Sequence, residues 1–153
     1  MTDELEILET SPQRAAVIHL TIPRTEMQEA FPSAIHEILG ALEEQGMAPA
    51  GPPYARHFRL HPETFDFEVG FPIDGAVEPR GRVEPGELPA ARVVQTIHRG
   101  AYEGLPGAWR AFHGEIRARE LPVGDEFRER YVVGPEAGPD PEVWRTELSW
   151  VLG

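Results

Sequence analysis

Glu29-Ala30-Phe31-Pro32-Ser33-Ala34-Ile35 and Glu103-Gly104-Leu105-Pro106-Gly107-Ala108-Trp109 share one wording, 74 residues apart: an acid, a small residue, an apolar one, Pro, a small residue, Ala and a large apolar side chain. Each stretch opens an amphipathic run. Phe31, Ala34, Ile35, Ile38, Leu39 and Leu42 recur at helical spacing up to Gly46, and Trp109, Phe112, His113 and Ile116 do so toward Glu120. Proline is tolerated in a first helical turn, so the helices are predicted over about 32–45 and 106–120. Thr25, three places before Gln28, fits a capping box at the first start.

The same order of elements surrounds both helices. Ala15–Ile22 precedes the first as a β-branched, apolar run that Pro23 closes, and Ala91–His98 precedes the second. Tyr54–Leu60 and Phe65–Phe71 follow the first; the latter sets Phe65, Phe67, Val69 and Phe71 against Asp66, Glu68 and Gly70 on alternate faces. Glu126–Val133 and Val143–Leu152 follow the second, with Trp150 sharing a core face with Thr146 and Leu148. The sequence therefore reads as a tandem βαββ duplication, with repeats at about 15–74 and 89–152 inside one domain over 14–153. Two such units bury their sheet faces by joining, so the fold class is α+β: one curved, mainly antiparallel sheet with two helices packed on one side and a cleft between the repeats. Residues 1–13 read as a flexible N-terminal tail. Gly81-Arg82-Val83-Glu84-Pro85-Gly86 reads as a turn with no helix behind it to cradle phosphate.

A chain of 153 residues with 41% hydrophobic and 26% charged side chains has the make-up of one globular domain with a real core. Fourteen basic against 26 acidic residues leave a net charge of −12, which argues against direct contact with nucleic acid or anionic lipid. The lack of cysteine excludes disulfides, thiolate nucleophiles and thiolate metal sites. No apolar run approaches the ~18 residues of a membrane span, and the N-terminus is acidic where a secretory signal is basic, so a soluble, cytoplasmic protein is expected. His57 and His61 lie in and just after a strand, where residues four apart stand about 13 Å from each other, too far for one ion. His19, His36, His98 and His113 have no ligand partner at a suitable spacing, so neither metal nor cofactor is expected. No Gly-x-Ser-x-Gly elbow, phosphate loop or dinucleotide fingerprint occurs.

Glu129 and Tyr131 stand two apart in a predicted strand and leave the same face. The residues alone allow that face to be a cleft or a solvated surface on which Arg128 or Arg130 pairs with the carboxylate. The wider pattern resembles the GyrI-like effector-binding domain over about 130 residues. It consists of Gly51-Pro52-Pro53-Tyr54 before a strand, Phe65-Asp66-Phe67-Glu68 followed by Phe71-Pro72, Leu88-Pro89-Ala90 leading to His98-Arg99-Gly100-Ala101-Tyr102, then Glu129-Arg130-Tyr131 and Arg145-Thr146-Glu147-Leu148. The resemblance implies a small-molecule-binding fold, found alone, in the drug-sensing half of MerR-type regulators and behind AraC-type DNA-binding domains. Some such domains take cationic lipophilic drugs, some hydrolyse electrophilic alkylating compounds, and one namesake shields DNA gyrase. With only a short acidic stretch before Ala15, a stand-alone member without a helix-turn-helix is expected.

By the same resemblance the matching Glu-x-Tyr places Glu129 and Tyr131 at the bottom of an aromatic pocket. Tyr102, Trp109 and Phe112 are candidates for its walls, and Tyr54, given roughly the place of Glu129 in the first repeat, is another. Glu147 faces either solvent or cleft. A carboxylate in an apolar cavity loses solvation that a bound cation restores, and each aromatic face adds cation–π attraction of about 0.5–2 kcal/mol. The expected ligand is thus a lipophilic, cationic small molecule. Without a cation, burial raises the carboxyl pKa, and Glu129 then suits a general base for opening a cyclopropane- or epoxide-type electrophile, with Tyr131 orienting water or donating a proton. A third reading is an acidic inhibitory binder of a DNA-handling enzyme. A homodimer or a separate regulator protein completes the partners considered.

Overall fold

The computed structural model describes residues 4–153, so the first three residues of the expected tail lie outside the described part. Eight strands form a single sheet: β1 (Glu6–Glu9), β2 (Gln13–Pro23), β3 (Tyr54–Leu60), β4 (Thr64–Pro72), β5 (Glu84–Leu88), β6 (Arg92–Arg99), β7 (Val123–Val133) and β8 (Arg145–Leu152). The helices are α1 (Met27–Glu44) and α2 (Leu105–Ala118). The strand order is β1-β6-β8-β7-β3-β4-β2-β5, with every pair antiparallel. This order is symmetric about the β7–β3 seam: β3, β4 and β2 answer to β7, β8 and β6, as a duplication requires. At the outer edges β5 answers to β1: each precedes one repeat in the chain and pairs with the first strand of the other.

Several expectations are corrected here. The segment expected as a loose tail contains β1, whose Ile7 and Leu8 sit opposite Val94 and Val93. The segment expected as a plain turn runs into β5, which lies along β2 with Pro85 opposite Ala16. The first helix also begins earlier than predicted. A 3-10 turn at Arg24–Glu26 leads into it with no side-chain cap, so Thr25 closes no capping box, and Pro32 lies inside the helix rather than at its start.

Two short linkers set the curvature. Pro89–Ala91 joins β5 to β6, and Thr10–Pro12 joins β1 to β2, yet each of these pairs lies six positions apart in the sheet. Four Cα steps reach at most about 14 Å, whereas six strand spacings in a flat sheet cover about 29 Å. The sheet must curl until its edges approach. Arg128, in the middle of the sheet, donates from Nη2 to the Pro89 carbonyl at 3.1 Å, which puts this linker over the helix-free face. That face is the inside of the curl. It holds Tyr54 packed with Ala15 and Val17, and an ion cluster across the seam in which Arg56 and Arg128 both donate to Glu126.

The helices occupy the outer face. Ala34, Ile38, Ala41 and Leu42 of α1 bury against Ile18, Phe67 and Val69, and Ala108, Phe112 and Ile116 of α2 bury against Val94, Leu148 and Trp150. Each such large aliphatic side chain contributes roughly 1.5–3 kcal/mol by leaving water. Because the sheet bends away from them, the two helices flank the seam and leave its floor open.

Candidate functional site

The open seam is a cleft of about 1010 Å³, walled by α1 on one side and α2 on the other. Its floor comes from β3 and β7, whose register sets Ala55 opposite Glu129 and His57 opposite Phe127. Alternation along β7 sends Phe127, Glu129 and Tyr131 outward to the cleft and Arg128 and Arg130 inward. Glu129 is half-buried, its exposure facing the cleft that it lines.

Its carboxylate is held from two directions. Trp109 Nε1 donates to Oε2 at 2.6 Å from α2, and the Tyr131 hydroxyl donates to Oε1 at 2.6 Å from the same strand. Burial pushes the Glu129 carboxyl above its ordinary 4.5, against the pull of these two hydrogen bonds. The same burial, together with the neighbouring carboxylate, holds the Tyr131 phenol well above its usual 10, so it stays protonated and donates. No cationic side chain bonds Glu129 among the described residues, although both its sequence neighbours are arginines. Arg128 is turned to Glu126, and Arg130 to Glu147 at 3.6 Å.

Aromatic rings surround this carboxylate. Phe31 of α1 meets Tyr131 edge-on at 5.0 Å, and Tyr102, just before α2, meets Tyr131 at 5.8 Å. Trp109 stands edge-on to Phe127 at 5.1 Å and to Trp150 at 5.7 Å. Arg24, Glu103, Arg110 and Glu136 also line the cleft, so charges of both signs are present around it.

Of the residues expected at the site, Glu129, Tyr131, Tyr102 and Trp109 meet in this cleft, and three do not. Tyr54 points to the inside of the curl, where its ring covers Gly70 and burial pushes its phenol up. Phe112 is 2% exposed and lies in the α2 core behind Trp109. Glu147 lies opposite Arg130 on the inner face, because β8 alternates and its neighbours Thr146 and Leu148 are the buried outer-face residues. The residues that sequence reasoning missed are Phe31, Phe65, Phe127 and His57. The 74-residue offset held a signal for two of them: Phe31 answers to Leu105, and His57 to Tyr131.

Comparison with known proteins agrees with this architecture. The chain superposes on the crystal structure of the EcmrR C-terminal domain with a TM-score of 0.82 and 19% identity, over 98% of this chain and 97% of that one. It matches EcmrR in the cryo-EM EcmrR–DNA complex at 0.83 and 17% identity, over 97% of this chain but only 57% of that longer one. SAV2435 bound to tetraphenylphosphonium matches at 0.72 and 11% identity, over 99% and 94% of the two chains. No curated protein matches the sequence. The sequence profile of the GyrI-like small molecule binding domain matches residues 3–152, essentially the whole chain, and the chain therefore belongs to the GyrI-like family.

Proposed function

We propose that the cleft binds a lipophilic cation, with Glu129 as its counter-charge and Trp109, Tyr131, Tyr102 and Phe31 as its aromatic walls. The observation that carries this reading is a carboxylate among aromatic rings, held by two neutral donors and by no cation among the described residues. Neutral donors fix the carboxylate in position without cancelling its charge, so a bound cation restores the solvation that burial removed. Ring faces add attraction for a diffuse cation that water solvates weakly. SAV2435, which shares the fold, is described with a cation of this type, tetraphenylphosphonium.

Binding is favoured over turnover by the state of Tyr131. Its hydroxyl hydrogen is engaged by Glu129 at 2.6 Å, so it is directed at the carboxylate and not at a substrate in the cleft. The DNA contacts of EcmrR concern a chain of which this one spans 57%, and they are not carried over.

The test is calorimetry of tetraphenylphosphonium and of a neutral analogue of the same shape against the wild type and Glu129→Gln. Removing one member of a desolvated charge pair costs at least ~2 kcal/mol, so the cation should lose about 30-fold or more in affinity while the neutral compound changes little. Equal losses for both compounds, or none for either, contradict the proposal.

A further inference from the structure

His57 sits in the cleft floor among phenylalanines, and no hydrogen bond among the described residues accounts for its being a histidine. Its ring lies flat between Phe67 and Phe127, with centroids at 5.1 and 4.7 Å and interplanar angles of 14° and 3°, while Phe65 stands edge-on at 5.5 Å. Stacking on both faces fixes the ring plane and leaves only its edge for hydrogen bonding. Nδ1 is sealed from solvent and has no hydrogen-bond partner. Nε2, which is not sealed in this way, accepts or donates no hydrogen bond among the described residues, and it is the nitrogen left to meet the cleft that His57 lines. A buried polar group without a partner destabilises a fold, and a phenylalanine here would stack as well without that cost. Nδ1 is out of a ligand's reach, so the polar point that a partner entering from the cleft can meet is the Nε2 edge of the ring.

Resting on the reading of the cleft as a cation site, we infer that His57 is its second polar point and that the ligand is a lipophilic cation bearing a hydroxyl group. The separation follows from the sheet. Ala55 faces Glu129 across the seam and His57 lies two residues further along β3, so the Cα atoms of His57 and Glu129 are about 8 Å apart along the floor. Phe127 fills the step between them. A hydroxyl suits an imidazole in either tautomer, because it donates to a bare nitrogen and accepts from a protonated one. The ring also stays neutral at physiological pH: burial, with Arg24 nearby and against the opposing pull of Asp66, lowers its pKa to about 4. It thus adds no charge to repel the cation.

Two probes of nearly equal shape decide the matter: triphenylphosphonium cations carrying either a 4-hydroxymethylphenyl or a 4-ethylphenyl group. The quantity read is the ratio of their affinities within one protein, which cancels any general effect of a substitution on the cleft. A neutral hydrogen bond contributes enough that the preference for the hydroxylated probe should fall about 3- to 10-fold in His57→Phe. Glu129→Gln should weaken both probes and keep the ratio. Should His57→Phe fail to fold, ring-nitrogen NMR of the wild type gives the same answer: the His57 Nε2 resonance moves with the hydroxylated probe and not with the ethyl one. An unchanged ratio, or equal movement with both probes, overturns the role of His57 and leaves the cation site standing. Absence of binding by both probes overturns the cation reading and this inference with it.

Discussion

At the scale of the residue, the chemistry is concentrated in one carboxyl group whose two oxygens are both occupied by donors. Trp109 and Tyr131 hold Glu129 in place, and burial raises its pKa above 4.5. The sign of the resulting pH dependence follows directly. A cation prefers the ionised form, and acid supplies the proton that removes it. Affinity for tetraphenylphosphonium should be full above the raised pKa and fall toward tenfold per pH unit below it, with protons released on binding in that range. A neutral analogue should show no such dependence. Titration calorimetry in buffers of different ionisation enthalpy counts those protons; a flat profile with no proton release contradicts the ionised counter-charge. That Glu129 and Tyr131 leave the same face was legible from strand periodicity alone. The bond from Arg128 to the Pro89 carbonyl was not, because that linker reaches it only through the fold.

At the scale of the element, the seam between β3 and β7 decides which side chains see the cleft. The repeat offset, applied strictly, identifies Ala55 as the counterpart of Glu129 and His57 as the counterpart of Tyr131. Giving Tyr54 that place is a slip of one residue, and one residue turns a strand side chain to the opposite face. Tyr54 instead lies over Gly70 of β4 on the inside of the curl, where a Cβ on Gly70 would come within 2.5 Å of the Tyr54 ring. Gly70→Ala should therefore destabilise the protein by about 1–3 kcal/mol, the usual cost of overpacking a filled site. Chemical denaturation measures it, and an unchanged midpoint would show that Tyr54 moves aside freely. The strands β1 and β5 escaped sequence reading for physical reasons. Glu-Ile-Leu-Glu is too short to show a period, and Glu-Pro-Gly-Glu-Leu carries a Pro, which an edge position tolerates, and a Gly that weakens the strand signal.

At the scale of the whole molecule, curvature makes the site. Linkers of three residues draw the outer strands around the helix-free face, and the outward bend leaves α1 and α2 flanking an open seam. The repeated helix starts made the two halves and the single sheet legible in the sequence; the direction of the curl was not, since it depends on a linker reaching a particular arginine. No helix among the described residues is long and apolar enough to cross a membrane. The central claim is that a lipophilic cation sits over Glu129 between those helices. A crystal structure with tetraphenylarsonium, whose arsenic is located by its anomalous scattering, tests it most directly. The account predicts an arsenic peak within about 6 Å of the Glu129 carboxylate, with phenyl groups against Trp109, Tyr131 and Phe31; a peak outside the cleft, or one inside it but remote from Glu129, would contradict it.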